Sequence, residues 1–293
     1  MKIASNNIKD IFAHYKKQLS SIYDDGELKA VMHLAFEHIL GFSRTDMSTR
    51  SEENVSESDL LKLHFICKRL AKHEPIQYII GETEFYRLRF KVNPHVLIPR
   101  QETEELVDLI LKDIISIKHL NPNFSILDIG TGSGCIAITL KKQILNADVY
   151  AMDISEEALD VALQNAELNN VDVKFIHGDI LQSAKLSLPV SSFDVIISNP
   201  PYITRGESEA MDARVKEHEP QLALFVENDD PLLFYKAICA FAKQKLSPQG
   251  KLYFELNAAH GQDAKALMLK EGFKNVELIR DLSGKDRMLM GEK

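Results

Sequence analysis

The sequence predicts an α/β protein in which a small helical bundle precedes a mostly parallel, doubly wound sheet. Three observations support this prediction. Apolar residues recur every three or four positions as far as about residue 75, which is the period of amphipathic helices. A segment with partial two-residue alternation follows, from Phe85 to Val92. From residue 124 onward, short apolar runs alternate with helical patterns, as in parallel strands joined by crossover helices.

Three helices are predicted in the N-terminal region. The first has its apolar stripe at Ile8–Leu19, and the second has its stripe at Leu28–Leu40 and ends at Gly41. Ser48–Asn54 is polar and is predicted to be a loop. Ser56, with an aspartate three residues later, has the pattern of a helix cap and begins the third helix.

The C-terminal region is predicted to contain seven strands, preceded by a helix from Glu102 to Ile117. The strands are Ser125–Ile129, Asp148–Met152, Val171–Ile176, Phe193–Ser198, Lys251–Leu256 and the segments 275–280 and 286–291. The helices between them are Cys135–Ile144, Glu156–Leu168, Leu232–Leu246 and Gln262–Lys270. We therefore expect a helical bundle at 1–75, a hairpin linker at 76–96 and an α/β domain at 97–293.

Composition disfavours several functional classes. The chain has 293 residues and a net charge of −8, whereas a protein that grips duplex DNA without specificity carries excess Lys and Arg. Its three cysteines are far apart, so neither a disulfide framework nor a zinc site is expected, and we predict no metal. The N-terminus lacks a signal-peptide pattern and no apolar run approaches a membrane span. We expect a soluble, cytoplasmic protein that is a monomer.

The first candidate binding element is the glycine-rich loop Gly130-Thr131-Gly132-Ser133-Gly134, which follows a predicted strand. Glycine lets a backbone pass close to a ligand, and in an open parallel sheet this loop lies where ligands bind. The spacing is not the G-x-G-x-x-G of a pyrophosphate binder, because position 135 is a cysteine. A tight turn without a ligand and a dinucleotide site remain alternatives. A ligand without phosphates, contacted through an amino-acid moiety, fits the spacing better.

Two acidic residues follow the next two strands. Asp153 could accept hydrogen bonds from both hydroxyls of a ribose, but it could equally be part of the helix cap beside Ser155. Asp179 follows Gly178 and could accept from an adenine amino group, although Gly-Asp is also an ordinary turn. Features at the ends of three successive strands together favour a nucleoside-containing ligand.

The segment Asn199-Pro200-Pro201-Tyr202, directly after a buried strand, is the most informative motif. Two prolines fix two φ angles and remove two N–H donors, so the turn presents carbonyl oxygens with few competing donors. Together with the Asn199 side-chain oxygen, these acceptors can hold both hydrogens of a substrate NH2 group and orient its nitrogen. Tyr202 could pack its ring on a flat amide or base, or it could fill the core. The motif predicts a methyl transfer to nitrogen.

With these motifs, the chain resembles the HemK/PrmC family, the release-factor glutamine methyltransferases, over nearly its full length. The resemblance rests on EPIQYIIGETEFYRLRFKVNPHVLIPRQETEELV (Glu74–Val107), LDIGTGSGCIAITL (Leu127–Leu140), FDVIISNPPYI (Phe193–Ile203), EPQLAL (Glu219–Leu224) and DLSGKDRMLMG (Asp281–Gly291). The N-P-P-Y motif alone is shared with DNA adenine and RNA guanine amino-methyltransferases, whereas VLIPRQETEEL is particular to this family.

The resemblance implies a Rossmann-like, seven-stranded class I methyltransferase domain with an antiparallel last strand and a small N-terminal helical bundle. It implies S-adenosylmethionine as cofactor and, as substrate, the glutamine of the Gly-Gly-Gln motif in class-1 peptide release factors. We expect the N-terminal bundle to recognise that protein partner. The implied cofactor contacts are Gly130, Thr131, Gly132, Ser133, Gly134, Asp153, Asp179, Ile180 and Asn199. The implied substrate contacts are Asn199, Pro200, Pro201, Tyr202, Arg100, Glu102 and Thr103.

Three segments depart from the family pattern, and two alternative functions remain. Where the family usually has P-R-P-E-T-E, this chain has P-R-Q-E-T-E at Pro99–Glu104. It has F-Y-R at Phe85–Arg87 in place of the usual F-Y-G, and E-N-D-D-P-L at Glu227–Leu232 in place of the usual G-G-x-D-G-L.

One alternative function is an amino-methyltransferase acting on DNA adenine or RNA guanine, which the acidic net charge of the chain disfavours. The other is a dinucleotide-binding dehydrogenase or a binding module without catalysis, which the loop spacing disfavours.

Overall fold

A computed structural model describes residues 5–117, 124–226 and 230–293 of the chain, which form two compact units. The first unit consists of the chain up to Gly81 together with Asp212–His218, and the second of Glu82–Met211 and Glu219–Lys293. The boundaries expected at residues 75 and 96 stay a prediction. Within the described ranges, no helix combines the length and apolar composition that crossing a bilayer requires.

The described residues form helices and strands in the following order. The helices are α1 (Ile8–Leu19), α2 (Asp25–Leu40), α3 (Arg44–Thr49), α4 (Glu57–Leu70), α5 (Ile76–Ile80), α6 (Gln101–Ile117), α7 (Cys135–Gln143), α8 (Glu156–Asn169), α9 (Ala213–His218), α10 (Gln221–Leu224), α11 (Leu233–Lys245) and α12 (Gly261–Lys270). The strands are β1 (Glu82–Phe85), β2 (Leu88–Lys91), β3 (Ser125–Ile129), β4 (Asp148–Asp153), β5 (Lys174–His177), β6 (Phe193–Ser198), β7 (Leu246–Glu255), β8 (Lys274–Arg280) and β9 (Asp286–Glu292). Short 3-10 helices cover Ile180–Lys185, Arg205–Ala210 and Ala258–His260.

The helices of the first unit begin and end where local capping chemistry predicts. The side chain of Asp24 accepts from the first-turn N–H groups of α2, and Gly41 ends that helix in the left-handed conformation at φ +67°. The Ser56 hydroxyl accepts from the third residue of α4, which confirms the predicted cap. The predicted loop Ser48–Asn54 is wrong at its start, because α3 extends to residue 49. That helix depends on a capping box at Ser43 and is too short to show an apolar period.

A segment distant in sequence completes the first unit. Arg214, in α9, forms ion pairs with Asp212 and Glu27, and its guanidinium lies over the ring of Tyr23 at 5.1 Å. The ring of His218 contacts the Lys72 carbonyl oxygen at 3.0 Å. No element is predicted here from the sequence, because the partners Glu27 and Lys72 lie 187 and 146 residues away along the chain.

The second unit contains a seven-stranded sheet in the order β5-β4-β3-β6-β7-β9-β8. The strands from β5 to β7 are parallel, and β9 inserts antiparallel between β7 and β8. This confirms the predicted doubly wound sheet and its antiparallel last strand. The chain leaves β3 toward β4 on one side and returns to β6 on the other, so the strand order reverses at β3. Ligands of open α/β sheets bind at such a switch point, outside the carboxyl ends of the strands.

Two hydrophobic cores cover the two faces of this sheet. Alternation along β3 places Ile126 in the core under α6 and α7, and Leu127 in the core under α11 and α12. Two predicted strands have wrong starting points: the strand expected from Val171 begins at Lys174, and the strand expected from Lys251 begins at Leu246. The second error arises because Ser247–Gly250 looks like a turn in sequence but lies within an irregularly paired strand beside β6.

Strands β1 and β2 form the antiparallel hairpin that the alternation predicts. The turn residues Tyr86 and Arg87 have φ values of +49° and +61°, as in a two-residue turn with both centres left-handed. Asn165 of α8 fixes the second strand: its side chain accepts from the Lys91 N–H at 2.6 Å and donates to the Lys91 carbonyl at 3.0 Å. The same side chain donates to the Ser133 carbonyl at 2.9 Å, which connects the hairpin to the glycine-rich loop.

Candidate active site at the carboxyl edge of the sheet

Five neighbouring strands bring polar residues to one edge of the sheet. In spatial order, the residues at or just after the strand ends are Asp179 (β5), Asp153 (β4), Gly130 (β3), Asn199 (β6) and Glu255 (β7). Four of these five were candidates from sequence. Because parallel strands end at a common edge, residues far apart in the chain become neighbours there.

The glycine-rich loop is shaped by hydrogen bonds to the neighbouring strand. The N–H groups of Gly130 and Thr131 both donate to the Met152 carbonyl, at 2.8 and 3.0 Å. Gly130 and Gly132 have φ values of +72° and +55°, and a Cβ at either position would meet no atom within 4 Å. The backbone is therefore open to a ligand at these two positions. At Gly134, in contrast, a Cβ would meet Ile138 at 2.8 Å, so this glycine serves helix packing.

The polar side chains of the loop are turned into the protein. Asp128, at the end of β3, is fully buried and accepts a hydrogen bond from the Thr131 hydroxyl at 2.6 Å. Burial raises the pKa of Asp128 to about 7, although the Thr131 hydroxyl and the Ala137 N–H act in the opposite direction. Ser133 is also buried. A ligand at this loop would therefore meet the backbone rather than the side chains of Thr131 and Ser133.

Asp153 connects the glycine-rich loop to the start of α8, beside the helix cap, and its role toward a ribose stays a prediction. One carboxylate oxygen accepts from the Gly132 N–H at 2.8 Å, and the other accepts from the Ser155 N–H at 3.0 Å beside the cap of α8. The Ile154 N–H also acts on this carboxylate, and since a carboxylate has about four acceptor sites, it keeps capacity for a ribose hydroxyl. Burial raises the pKa of Asp153, and these backbone hydrogen bonds oppose the rise.

Asp179 lies next along the edge and caps a short 3-10 helix. Its two oxygens accept from the Leu181 N–H at 2.8 Å and the Gln182 side-chain amide at 2.9 Å. Ile180 is buried at the start of this helix. The turn joins the neighbouring strand end, because the Gly178 N–H donates to the Asp153 carbonyl at 2.9 Å.

The Asn-Pro-Pro-Tyr corner begins where β6 ends, beside the glycine-rich loop. Ser198 pairs with Ile129 in register, and its hydroxyl donates to the Ile129 carbonyl at 2.7 Å. The chain after the corner is fixed at Ile203, whose N–H donates to Leu224 and whose carbonyl accepts from Val226. Hydrogen bonds thus fix the chain on both sides of the corner, and the corner lies next to the glycine-rich loop, where the cofactor is predicted to bind.

Tyr202 is partly buried and packs against the core under α11 and α12. Burial, followed by the Glu255 charge, raises the pKa of its phenol to about 12, whereas Arg287 and Arg100 lower it. Tyr202 is therefore neutral at physiological pH. Its ring fills part of the core, as the alternative interpretation of the motif expected, and its stacking on a substrate stays a prediction.

The three residues expected beside the site lie around the ends of β6 and β7. The Thr103 hydroxyl donates to Glu255 at 2.6 Å, and both groups are buried. Arg100 forms an ion pair with the buried Glu219, which also accepts from the Ile98 N–H at 3.3 Å. Burial raises the pKa of Glu219, and the Arg100 charge opposes this. The Glu102 carboxylate acts on Glu255 by like-charge repulsion.

Two neighbours of the corner were missed in the sequence. Glu255 ends β7 directly beside the Asn199 position, and Arg287 of β9 places a positive charge close to it. Glu255 carried a signal that could have been used, because it is an acid at the end of an apolar strand, as Asp153 is. Arg287 lies in the segment Asp281–Gly291 that supports the family resemblance, but only the insertion of β9 beside β7 brings it to this edge.

The chemistry of this edge fits S-adenosylmethionine. The open backbone at Gly130 and Gly132 admits a close ligand, and Asp153 can accept ribose hydroxyls. The carboxyl groups of Asp153 and Asp179 favour a ligand that carries positive charge over a pyrophosphate. Among the described residues, no group of three or more His, Cys, Asp or Glu side chains could hold a metal ion.

Comparisons with known proteins point to one family. The chain matches the model of the PrmC N-terminal domain at residues 10–81 and that of the methyltransferase small domain at residues 113–219. It is 44% identical to a release factor glutamine methyltransferase of Flavobacterium psychrophilum, covering 96% of this chain and 98% of the relative. It is also 44% identical to a protein of the same name from Bacteroides thetaiotaomicron, with 95% and 98% covered.

Among solved structures, the chain is similar to a methyltransferase from Pyrococcus furiosus, with 20% identity and a TM-score of 0.48. The alignment covers 81% of this chain and 99% of that one.

Proposed function

The chain belongs to the release-factor glutamine methyltransferase family, and on this premise we propose that it methylates the glutamine of the Gly-Gly-Gln motif in class-1 peptide release factors. The methyl group leaves the sulfur of S-adenosylmethionine, which becomes S-adenosylhomocysteine, and bonds to the side-chain amide nitrogen, which then loses one proton. The observation that carries this proposal is the position of the Asn199-Pro200-Pro201-Tyr202 corner. It ends β6 immediately beside the open glycine-rich loop that follows β3.

The corner recognises an NH2 group by presenting acceptors alone. The side-chain oxygen of Asn199 and the carbonyl oxygen of Pro200 accept one amide hydrogen each, and Pro200 and Pro201 contribute no N–H that could compete. A substrate carboxylate would face these acceptors without a donor, which leaves buried polar groups unpaired at about 1–3 kcal/mol each. Glutamine is therefore selected over glutamate.

Holding the NH2 group also promotes the reaction. Bound S-adenosylmethionine supplies an electrophilic methyl group on a positively charged sulfur. An amide nitrogen is a weak nucleophile because its lone pair is delocalised into the carbonyl group. By fixing both hydrogens, Asn199 and Pro200 orient that nitrogen toward the glycine-rich loop, and they stabilise positive charge that develops on the NH2 group.

We assign the remaining residues of the edge by their geometry. Backbone atoms of Gly130–Gly134 contact the amino-acid part of the cofactor, since the loop is open at two of its glycines. Asp153 accepts from the ribose hydroxyls, and Asp179 with Ile180 borders the adenine. Arg100, Glu102 and Thr103 support the corner that binds the glutamine side chain, with Thr103 acting through Glu255.

Replacing Asn199 by alanine tests the proposal. We expect Asn199→Ala to lower turnover about 100-fold, because an oriented acceptor is lost, while S-adenosylmethionine affinity stays within about twofold of wild type. Mass spectrometry of release-factor peptides after incubation with enzyme and cofactor measures methylation of the glutamine. Asn146→Ala is a matched control, since Asn146 is an exposed asparagine before β4, at the opposite edge of the sheet. Turnover near the wild-type rate in Asn199→Ala would show that the assigned role is wrong.

The same assay separates this function from base methylation. A release factor with glutamate in place of the glutamine should remain unmethylated, and DNA or RNA added in its place should gain no methyl group. If nucleic acid is methylated instead, and its affinity falls steeply with added salt, the protein acts on an exocyclic amino group.

A further inference from the structure

Glu255 is a buried acid beside the substrate-binding corner, and the proposed mechanism gives it no direct role. Ser198 and Phe254 are paired in register between β6 and β7, so Asn199 and Glu255 occupy the next positions along the two strands. Only 3% of the Glu255 surface is exposed. A buried carboxyl group is costly to a fold unless its partners compensate for the loss of water. Its position beside Asn199 therefore requires an explanation.

The contacts of Glu255 divide its carboxylate between two donors. One oxygen accepts from the Thr103 hydroxyl at 2.6 Å. Asn199 occupies the adjoining position at the end of β6, and its side-chain amide lowers the pKa of this carboxyl group in the manner of a hydrogen-bond donor. Since an ionised carboxylate accepts and never donates, only the NH2 end of the Asn199 amide can face it.

The position of Glu255 bears on an ambiguity that every asparagine carries. The two ends of an Asn side chain have nearly the same shape, but one end donates hydrogen bonds and the other accepts them. At the substrate-binding corner the difference decides function, because a substrate NH2 group must meet the oxygen. If the side-chain amide of Asn199 were rotated by 180°, its NH2 group would face the NH2 group of the substrate.

We propose that Glu255 is a positioning residue that holds the NH2 end of Asn199 and thereby aims its side-chain oxygen at the glutamine amide of the substrate. Thr103 fixes the carboxylate from α6, so the orientation is set by a chain of three residues. The inference rests on the proposed function only in naming the substrate. The orientation of Asn199 is a property of the protein alone.

The proposal makes the reaction depend on the protonation of Glu255. Burial raises the pKa of this carboxyl group to about 7. The Thr103 and Asn199 hydrogen bonds and the Arg287 charge lower the pKa, and Glu102 raises it. Tyr202 and Tyr235 also face the group, but burial keeps both phenols neutral.

Below pH 7 the protonated carboxyl group can donate to Asn199 and so reverse its amide. Turnover should therefore fall as the pH drops through about 7, whereas the amide nitrogen of the substrate does not titrate there.

Exchanging the carboxylate of Glu255 and the side-chain amide of Asn199 between the two positions provides the decisive test. In Glu255→Gln, the new amide places its NH2 group against the NH2 group of Asn199, since its oxygen is held by Thr103. In Asn199→Asp, two carboxylates face each other. We expect each single variant to lower kcat about 100-fold. In the double variant the new amide donates to the new carboxylate, which leaves one acceptor oxygen for the substrate, and kcat should recover at least about tenfold over either single variant.

A structural role for Glu255 alone would give a different result. If Glu255 only supports the fold, the losses of the two substitutions add, and a double variant at or below the slower single variant overturns the proposal. Equal S-adenosylmethionine affinity and equal thermal stability across the variants exclude misfolding as the cause. The fall in kcat as the pH drops through about 7 should be present in the wild type and should occur at lower pH in the double variant.

A second measurement does not depend on the substrate. The side-chain NH2 resonances of Asn199, assigned by their loss in Asn199→Asp, should shift with pH near 7 in nuclear magnetic resonance spectra of the wild type. They should not shift in Glu255→Gln. If these resonances do not shift with pH in either the wild type or Glu255→Gln, the positioning role of Glu255 is wrong, whether or not release factors are the substrate. A missing methylation product with titrating resonances instead refutes the proposed function and leaves the positioning role standing.

Discussion

Replacing Gly132 by alanine should weaken cofactor binding much more than it destabilises the fold. Gly132 lies in the middle of the glycine-rich loop at φ +55°, and a Cβ there would meet no protein atom within 4 Å. Its N–H, which donates to Asp153 at 2.8 Å, is kept in the variant. The added methyl group therefore enters the open space that we assign to the ligand and disturbs nothing else.

The expected magnitudes follow from this geometry. A non-glycine residue in the left-handed region costs about 1–2 kcal/mol, of which about 0.4–1 kcal/mol is recovered through a less flexible unfolded chain. The net loss of stability is about 1 kcal/mol. A ligand held away from the backbone loses at least one hydrogen bond worth about 1–3 kcal/mol, which weakens affinity by roughly 5- to 150-fold.

Titration calorimetry with S-adenosylmethionine and thermal unfolding measure the two effects separately. Gly41→Ala is the matched control, because Gly41 ends α2 at φ +67° and likewise has no atom within 4 Å of a Cβ. Both variants should unfold at similarly lowered temperatures, but only Gly132→Ala should bind the cofactor weakly. Affinities of the two variants that agree within about twofold would refute the assignment of this loop to the cofactor.

Two further predictions concern the fold itself. Arg87→Gly should stabilise the protein by about 0.5–1 kcal/mol, because Arg87 is exposed and held at φ +61° in the hairpin turn, and a lower unfolding temperature would contradict this. Asp128→Asn should flatten the dependence of stability on pH. The pKa of Asp128 rises from an ordinary 3.8 to about 7 in the folded state, so wild-type stability declines as the pH rises between those values, by up to about 4 kcal/mol at 1.36 kcal/mol per pKa unit. Denaturant unfolding from pH 4 to pH 8 measures the decline, and an unchanged slope in Asp128→Asn would show that another group causes it.

The candidate residues could be grouped from the sequence because they lie at strand ends, and their roles toward cofactor and substrate stay predictions. Each candidate at Gly130, Asp153, Asp179 and Asn199 follows an apolar run, and parallel strands bring their carboxyl ends to one edge. The prediction therefore needed only the order of strands and helices. The match to the release-factor glutamine methyltransferases confirms the family, the fold class and S-adenosylmethionine as cofactor.

Prediction from the sequence was less successful where the residues that contact a segment are distant along the chain, or where an element is too short to show a periodic pattern. The helix Arg44–Thr49 was missed because six residues show no apolar period. The residues after the corner were given no element, although they form short helices there. Residues 227–229, part of the altered Glu227–Leu232 loop, lie outside the described residues.

By itself, the sequence determined the alternation of strands and helices, the open glycine-rich loop and the donor-poor corner, because these depend on local chemistry and on spacing along the chain. Only the tertiary structure decided which side chains support that corner. Glu255 meets Asn199 because β7 lies beside β6, and Thr103 and Arg287 reach it from α6 and β9. These contacts depend on the spatial order of strands and on packing across the sheet, neither of which leaves a periodic signal in the sequence.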